Sequence, residues 1–124
     1  MKLLDSNIVI YGTKPEFADL RQMFGSGVCV SVITYVEVLG YHAMTKPEKD
    51  LIEEFLINTP AVGVTAQVID QAVKLRCQRR MGLADSLIAG TALAFGYTLV
   101  TRNTNDFDWV SGLSLLNPFP RASS

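Results

Sequence analysis

Five polar side chains occur at predicted strand ends or inside apolar helical patterns. Asp5 closes an apolar run, Glu37 interrupts an apolar helical pattern, and Asp85 opens a helix that is apolar or small on every side. Asn103 and Asp106 follow the fourth predicted strand. Ligands of open parallel α/β sheets bind at the carboxyl ends of the strands. We therefore expect these five groups to meet at one edge of a sheet.

Carboxylates brought together at such an edge need protons or a cation. Two of them about 4 Å apart repel by roughly 4 kcal/mol at an effective dielectric constant of 20. An all-oxygen cluster with one amide suits Mg²⁺ or Mn²⁺ rather than zinc, which favours His and Cys ligands. A hard cation held this way polarises a phosphoryl oxygen and activates a bound water. Glu37, or the Asn103 and Asp106 pair, is then available to position or deprotonate that water.

Three of the four acids also have a structural explanation. Asp5 and Asp85 stand at predicted helix starts, where Asp is a favoured capping residue, and Asp106 is an ordinary turn residue. Glu37 has no capping role in mid-helix, and a buried Glu is rare unless it is paired or bound to a metal. The position of Glu37 therefore favours a functional role over a structural one.

Four basic residues precede Asp85 in a predicted helix. Lys74, Arg76, Arg79 and Arg80 lie close together, and the three arginines have the i, i+3, i+4 spacing of one helix face. The pattern indicates either a solvated helix end that complements the helix dipole or a stripe that contacts phosphates.

The elements that must position these residues alternate along the chain. Apolar and β-branched runs predict strands at 2–5, 28–31, 61–64, 97–101 and 113–116. Helical spacing and capping residues predict helices at 8–11, after Pro15, and at 33–44, 48–57, 65–80 and 85–95. This alternation implies α/β architecture, a three-layer α/β/α sandwich with a central, mainly parallel sheet. We expect one domain, 1–124, with a loose C-terminal tail at about 119–124.

Composition and missing motifs exclude several function classes. The chain has 124 residues, 48% of them apolar, and its 11 Lys and Arg balance 12 Asp and Glu. An anionic ligand must therefore be held locally or through a metal, not by bulk charge. No GxxxxGK loop, three-glycine dinucleotide fingerprint or GxSxG elbow is present. A phosphatase with Asp5 as nucleophile is the nearest enzymatic alternative, although position 7 is Asn where such enzymes have a second Asp.

Two further patterns bear on the setting of the protein. Cys29 and Cys77 fall among core-like residues and predict buried, reduced thiols. The first residues carry an acid where a secretory signal has an apolar run, and no segment approaches the roughly 20 apolar residues of a membrane span. We expect a cytoplasmic protein that does not bind membranes.

Four segments match, in order, the motifs of a known family. They are residues 3–7 (LLDSN), 34–37 (TYVE), 84–93 (ADSLIAGTAL) and 99–103 (LVTRN), with Asp106 and Phe107 following. Each motif is weak alone, but the ordered set is specific. The series resembles the PIN-domain ribonucleases over nearly the whole chain, and most of all the VapC-type toxins of toxin–antitoxin pairs.

The resemblance implies a PIN-like, Rossmann-like topology and a Mg²⁺- or Mn²⁺-dependent endoribonuclease that cuts tRNA or mRNA. It implies that Asp5 and Asp85 are the main metal ligands, that Glu37 completes an acidic triad, and that Asn103 or Asp106 is the fourth catalytic residue. We expect substrate contacts from the neighbouring polar residues and the basic stripe: Ser6, Asn7, Thr101, Arg76, Arg79 and Arg80. The family also implies a homodimer and a small antitoxin that covers the site. An inactive PIN-like binding module is the non-enzymatic alternative.

Overall fold

The computed structural model describes residues 1–17 and 27–119, in which strands and helices alternate. The strands are β1 (Lys2–Leu4), β2 (Val28–Ser31), β3 (Ala61–Val62), β4 (Thr98–Val100) and β5 (Leu115–Leu116). The α-helices are α1 (Ser6–Gly12), α2 (Val32–Leu39), α3 (Lys46–Ile57), α4 (Ala66–Gln78) and α5 (Leu83–Phe95). Short 3₁₀ turns occupy Pro15–Phe17 and Thr104–Asp106.

The five strands form one parallel sheet in the order β3-β2-β1-β4-β5. β1 lies at the centre, where Leu3 pairs with Cys29 of β2 and with Leu99 of β4. The chain builds outward from β1 on one side and then crosses to β4 on the other. The gap between the carboxyl ends of β1 and β4 is therefore the topological switch point, where such sheets bind ligands.

Alternate strand residues fill two cores on opposite faces of the sheet. The side chains that face α1, α2 and α3 include Leu4, Val30 and Val100. Those that face α4, α5 and the segment after β4 include Leu3, Cys29 and Leu99. Since both faces are covered, the strands are apolar throughout, as in other parallel sheets. The predicted three-layer α/β/α sandwich is confirmed.

The helix predicted over 33–44 is wrong in its length, because it ends at Leu39. Gly40 closes the helix by donating its N–H to the Val36 carbonyl oxygen. A Cβ at position 40 would lie 2.5 Å from that oxygen, so glycine is needed for this approach. The apolar residues beyond it, Tyr41 and Met44, do not continue the helix.

The helix predicted over 65–80 is also shorter than expected. Thr65 caps it as predicted, by accepting the N–H of Val68, but the helix ends at Gln78. Arg79 has extended backbone angles, φ −160° and ψ 150°, so Arg79 and Arg80 lie beyond the helix. The prediction of one arginine stripe on a helix face is therefore wrong.

α5 is covered on two sides, as its lack of a polar face predicts. It packs against α4 and the sheet, and its side chains from Ile88 to Ala92 are buried. A Cβ at Gly90 would lie 2.9 Å from the Val68 carbonyl oxygen and 3.1 Å from the Ala72 nitrogen. The two helices therefore approach closely enough that only glycine fits at this crossing. Gly96 then ends the helix in a left-handed conformation, with φ 69°.

Other boundaries shift by a few residues. β3 and β5 are two residues long where four were expected. Where a helix was expected after Pro15, the described residues Pro15–Phe17 form a 3₁₀ turn, and residues 18–26 lie outside the described part. Phe119 packs edge-on against Tyr11, and residues 120–124 of the predicted tail also lie outside the described part. No helix of the described residues is long and apolar enough to cross a membrane.

The two cysteines differ in environment. Cys29 is buried in β2, as expected, and burial raises the pKa of its thiol. Cys77 is exposed, so its predicted burial is wrong. It lies near the end of α4, whose buried side is formed by Val68, Ala72 and Leu75.

Candidate active site

Asp5 is buried at the carboxyl end of β1, with only 5% of its surface exposed. Its Oδ1 accepts the Ser6 N–H at 2.8 Å, which caps α1. Its Oδ2 accepts the Thr101 hydroxyl at 2.8 Å, and the Asn7 amide nitrogen lies 3.4 Å from the same oxygen. Burial raises the pKa of Asp5, and the hydrogen bonds from Thr101 and Ser6 oppose that rise. The capping explanation is correct, but it accounts for only one of the two oxygens.

Thr101 joins the two strand ends at the switch point. Its fully buried hydroxyl donates to Asp5 and accepts the Asn103 N–H at 3.1 Å. Asn7 adds a second link, because its Oδ1 accepts the Arg102 N–H at 3.3 Å. The start of α1 and the segment after β4 are therefore tied together by hydrogen bonds.

Glu37 is exposed, so the prediction that it lies on a buried helix face is wrong. α2 turns Thr34 and Val38 inward, whereas Val36 is 73% exposed. Glu37 nevertheless contacts the residue that follows Asp5, because the Ser6 hydroxyl donates a hydrogen bond to Glu37 Oε1 at 2.6 Å. Ser6 therefore connects the carboxylate on α2 to the strand end that carries Asp5.

Asp85 lies half-buried in the first turn of α5, which leads into β4 and so begins at the carboxyl edge of the sheet. The helix cap is Gly82, which makes no side-chain capping bond. The pKa of Asp85 is raised to about 6. Burial is the largest cause, and repulsion by three other carboxylates adds to it: Asp5, Asp106 and Glu37. The four predicted acids therefore form one electrostatic group.

The turn after β4 carries both candidates for the fourth site residue. Asn103 and Asp106 are exposed, and the Asp106 N–H bonds to the Asn103 carbonyl oxygen at 3.0 Å. The Asp106 charge raises the pKa of both Asp5 and Asp85. Asn103 meets the site through its backbone N–H, which bonds to Thr101.

This donor set fits a divalent metal by its chemistry. All four acids offer oxygen, the ligand that Mg²⁺ and Mn²⁺ prefer, and a cation would relieve the repulsion that contributes to the raised pKa values of Asp5 and Asp85. In the described residues, however, no three His, Cys, Asp or Glu side chains form a group ready to hold an ion. Glu37 is hydrogen-bonded to Ser6, and Asp106 is exposed, so both side chains would have to move inward before the four acids could surround an ion.

A groove of about 250 Å³ opens beside Asp85 and Asp106, and Arg79, Arg80 and Trp109 line it. Arg76 does not line it. Its Nε instead donates to the Met81 carbonyl oxygen at 3.2 Å and so supports the segment after α4. The sequence reasoning missed Trp109, whose only signal was an aromatic residue in a polar turn three positions after Asp106.

The fold and the acidic site together define a class. A parallel sheet with carboxylates at its switch point is what the motif resemblance predicted, and the family model of the PIN domain matches residues 2–113. The chain belongs to the PIN domain family.

The relatives narrow the assignment to VapC-type proteins. The tRNA(fMet)-specific endonuclease VapC of Shigella flexneri is 31% identical over 122 residues, which cover 90% of this chain and 92% of that protein. The protein of the same description from Salmonella typhimurium is 27% identical, over 91% of this chain and 94% of its own length. The crystal structure of DNA-bound VapBC from Salmonella typhimurium matches with a TM-score of 0.83 and 26% identity, over 95% of this chain and 98% of the other.

Proposed function

We propose that this chain is a Mg²⁺- or Mn²⁺-dependent endoribonuclease and the toxin of a toxin–antitoxin pair. The observation that carries the proposal is the group of four carboxylates at the switch point, in which the pKa of Asp85 rises to about 6. The relatives of matching length support it, because two are described as tRNA(fMet)-specific endonucleases and a solved structure with 25% identity is described as a toxin–antitoxin complex from Klebsiella pneumoniae.

Asp5 and Asp85 would hold the metal ion, with Glu37 as the third acid. A bound divalent ion supplies a polarised phosphoryl oxygen and a water of lowered pKa. Thr101 and the Ser6 N–H fix the orientation of the Asp5 carboxylate, because each donates to a different oxygen. The Ser6 hydroxyl holds Glu37 at the edge of the site through its 2.6 Å bond.

Asp106 is the better candidate for the fourth residue. A carboxylate can take a proton from the attacking water, whereas the neutral Asn103 amide cannot. The Asp106 charge reaches both Asp5 and Asp85, and its exposed position leaves it open to a bound phosphate. We assign the proton-accepting role to Asp106 and a supporting role to Asn103, through its N–H bond to Thr101.

The substrate would be tRNA or mRNA, and the natural partner a small antitoxin that covers the site. Ser6, Asn7 and Thr101 already bond within the site, so they would position the acids and not the RNA. Arg79 and Arg80 line the groove beside Asp85 and would contact the RNA. A homodimer in the cytoplasm, where such RNAs occur, completes the proposal.

The alternative function, a phosphatase with Asp5 as its nucleophile, fits the site less well. Both oxygens of Asp5 accept a hydrogen bond, one from Ser6 and one from Thr101, which lowers their power as nucleophiles. A phosphatase would leave phosphate on Asp5, and mass spectrometry of the protein after incubation with a phosphate ester would detect it.

The test of the nuclease compares RNA cleavage by wild type and Asp5→Asn in Mg²⁺. Asn still caps a helix, so α1 should survive the change. Loss of a ligand should cost more than the 10- to 100-fold typical of residues that merely support metal ligands. Circular dichroism checks the fold. Equal cleavage by the two proteins would refute the proposal.

A further inference from the structure

The groove beside Asp85 has a flat cationic surface that the proposed metal site does not use. The Arg79 guanidinium carbon lies 5.3 Å from the centroid of the Trp109 ring, and both residues line the groove with Arg80. We propose that this Arg79–Trp109 platform stacks against an unpaired RNA base near the cleaved phosphate, while Arg80 contacts a neighbouring phosphate. The inference rests on the proposed function, because it takes RNA to be the ligand.

The platform is held in place before any ligand arrives. The Trp109 Nε1–H donates to the Asp106 carbonyl oxygen at 3.0 Å, which fixes the indole on the turn that carries an acid of the site. Trp109 also packs against the core cluster that contains Phe107. On the other side, the bond from Arg76 to Met81 supports the segment of Arg79 and Arg80. A preorganised surface loses little entropy on binding.

The two arginines are available to a ligand. Both are exposed, and in the described part of the chain the salt bridges are Lys46–Asp50 and Lys74–Asp70, so neither arginine is paired with an acid. Arginine suits phosphate because its planar guanidinium donates two parallel hydrogen bonds. Because the net charge of the chain is −1, anion binding depends on such local groups.

The presence of the Trp109 indole favours a base over a phosphate alone as the ligand of this surface. A site for phosphate alone needs charge but no aromatic surface, whereas unpaired bases stack on aromatic rings and on guanidinium planes. The Arg79 guanidinium lies over the Trp109 ring, and both groups line the groove, so the pair offers a planar cation and an aromatic ring at one place. Paired bases are already stacked in a duplex, so the platform selects single-stranded RNA.

The test uses the fluorescence of Trp109, the single tryptophan of the chain. Binding is measured with Asp5→Asn as the background, so that the RNA is not cut, and with two probes of equal length: oligoadenylate and an abasic oligonucleotide. We expect oligoadenylate to quench Trp109 saturably and to bind more tightly than the abasic probe, which has the same charge.

Arg79→Lys is the decisive variant, because it keeps the positive charge and removes the planar guanidinium group. We expect it to weaken oligoadenylate binding about tenfold, or about 1.4 kcal/mol, and to leave abasic binding within twofold. Lys74→Ala is the matched control: it removes a charge from α4 outside the groove and should change both affinities less than twofold. Melting temperatures identify any misfolded variant.

Three results would overturn the platform: no quenching by oligoadenylate, equal affinity for the two probes, or unchanged oligoadenylate affinity in Arg79→Lys. The outcome also separates the two proposals. If the wild type fails to cleave RNA in Mg²⁺ while Arg79→Lys still loses its affinity for oligoadenylate, the platform stands and the nuclease proposal fails. If cleavage occurs and Arg79→Lys binds oligoadenylate normally, only the platform fails.

Discussion

Asp85 occupies an environment that opposes its own ionisation. It is half-buried and near three other acids, and its pKa rises to about 6. An acid whose pKa is raised in the folded protein binds its proton at a higher pH in the folded protein than in the unfolded chain. Without metal, therefore, the contribution of Asp85 to stability falls as the pH rises from about 4 to 6, and the charged form weakens the fold above pH 6.

Replacing Asp85 by Asn should stabilise the metal-free protein at pH 7.5. We expect a gain of about 1 kcal/mol in the free energy of unfolding, less than the full pKa shift implies, because solvent screens a half-exposed group. The gain should disappear as the pH is lowered towards 4. Urea denaturation in EDTA at the two pH values measures it. Asp108→Asn, at an exposed acid, should change stability by less than about 0.5 kcal/mol. An equal effect of Asp85→Asn at both pH values would contradict this account.

Residue-level prediction succeeded where the position of a residue after a strand determines its place. Asp5 stands at the carboxyl end of β1, as the apolar run before it predicted, and it meets Thr101 because β1 and β4 are neighbours, a strand order that the sequence did not predict. Prediction failed for the burial of Glu37 and Cys77, because an apolar helical pattern does not reveal which side of a short helix the rest of the chain covers. Trp109 was missed because its role depends on Arg79, 30 positions earlier in the chain, and only the folded structure brings the two together.

At the level of elements, α4 and α5 pack closely against each other beside the site. Their crossing at Gly90 sets the position of α5, and α5 carries Asp85 in its first turn. The composition of α5 predicted its burial correctly, since a helix with no polar face must be covered. The ends of α2 and α4 were not predictable from periodicity, because the residues after Leu39 and Gln78 still fit a helical pattern.

Gly90→Ala should therefore destabilise the protein by about 1–3 kcal/mol, the usual cost of overpacking a core. The added Cβ meets backbone atoms of Val68 and Ala72, which cannot turn aside as a flexible side chain does. Gly63→Ala is the control, because nothing lies within 4 Å of its Cβ position. Urea denaturation measures both variants. Equal stability of the two variants would show that α4 and α5 can separate without cost.

For the molecule as a whole, the net charge is near zero, but acidic and basic groups lie in separate places. Four acids gather at the switch point, and Arg79 and Arg80 lie along the adjoining groove. The sheet order makes this arrangement possible, because it places the ends of β1 and β4 side by side and begins α5 at the same edge. The sequence predicted the acidic part from polar residues at strand ends and in apolar helical patterns. It did not predict the groove, because its arginines lie beyond the end of α4.

A metal ion that binds this acidic group should stabilise the whole fold. A ligand that binds only the folded state adds about 2.7 kcal/mol at a concentration 100 times its dissociation constant. Mn²⁺ should therefore raise the melting temperature of the wild type by several degrees. Asp5→Asn combined with Asp85→Asn should lose this rise, because the double variant lacks two of the four charges that repel one another. Sodium chloride at matched ionic strength corrects for screening. An equal rise in both proteins would place the ion elsewhere, and no rise in the wild type would favour an inactive binding module over a nuclease.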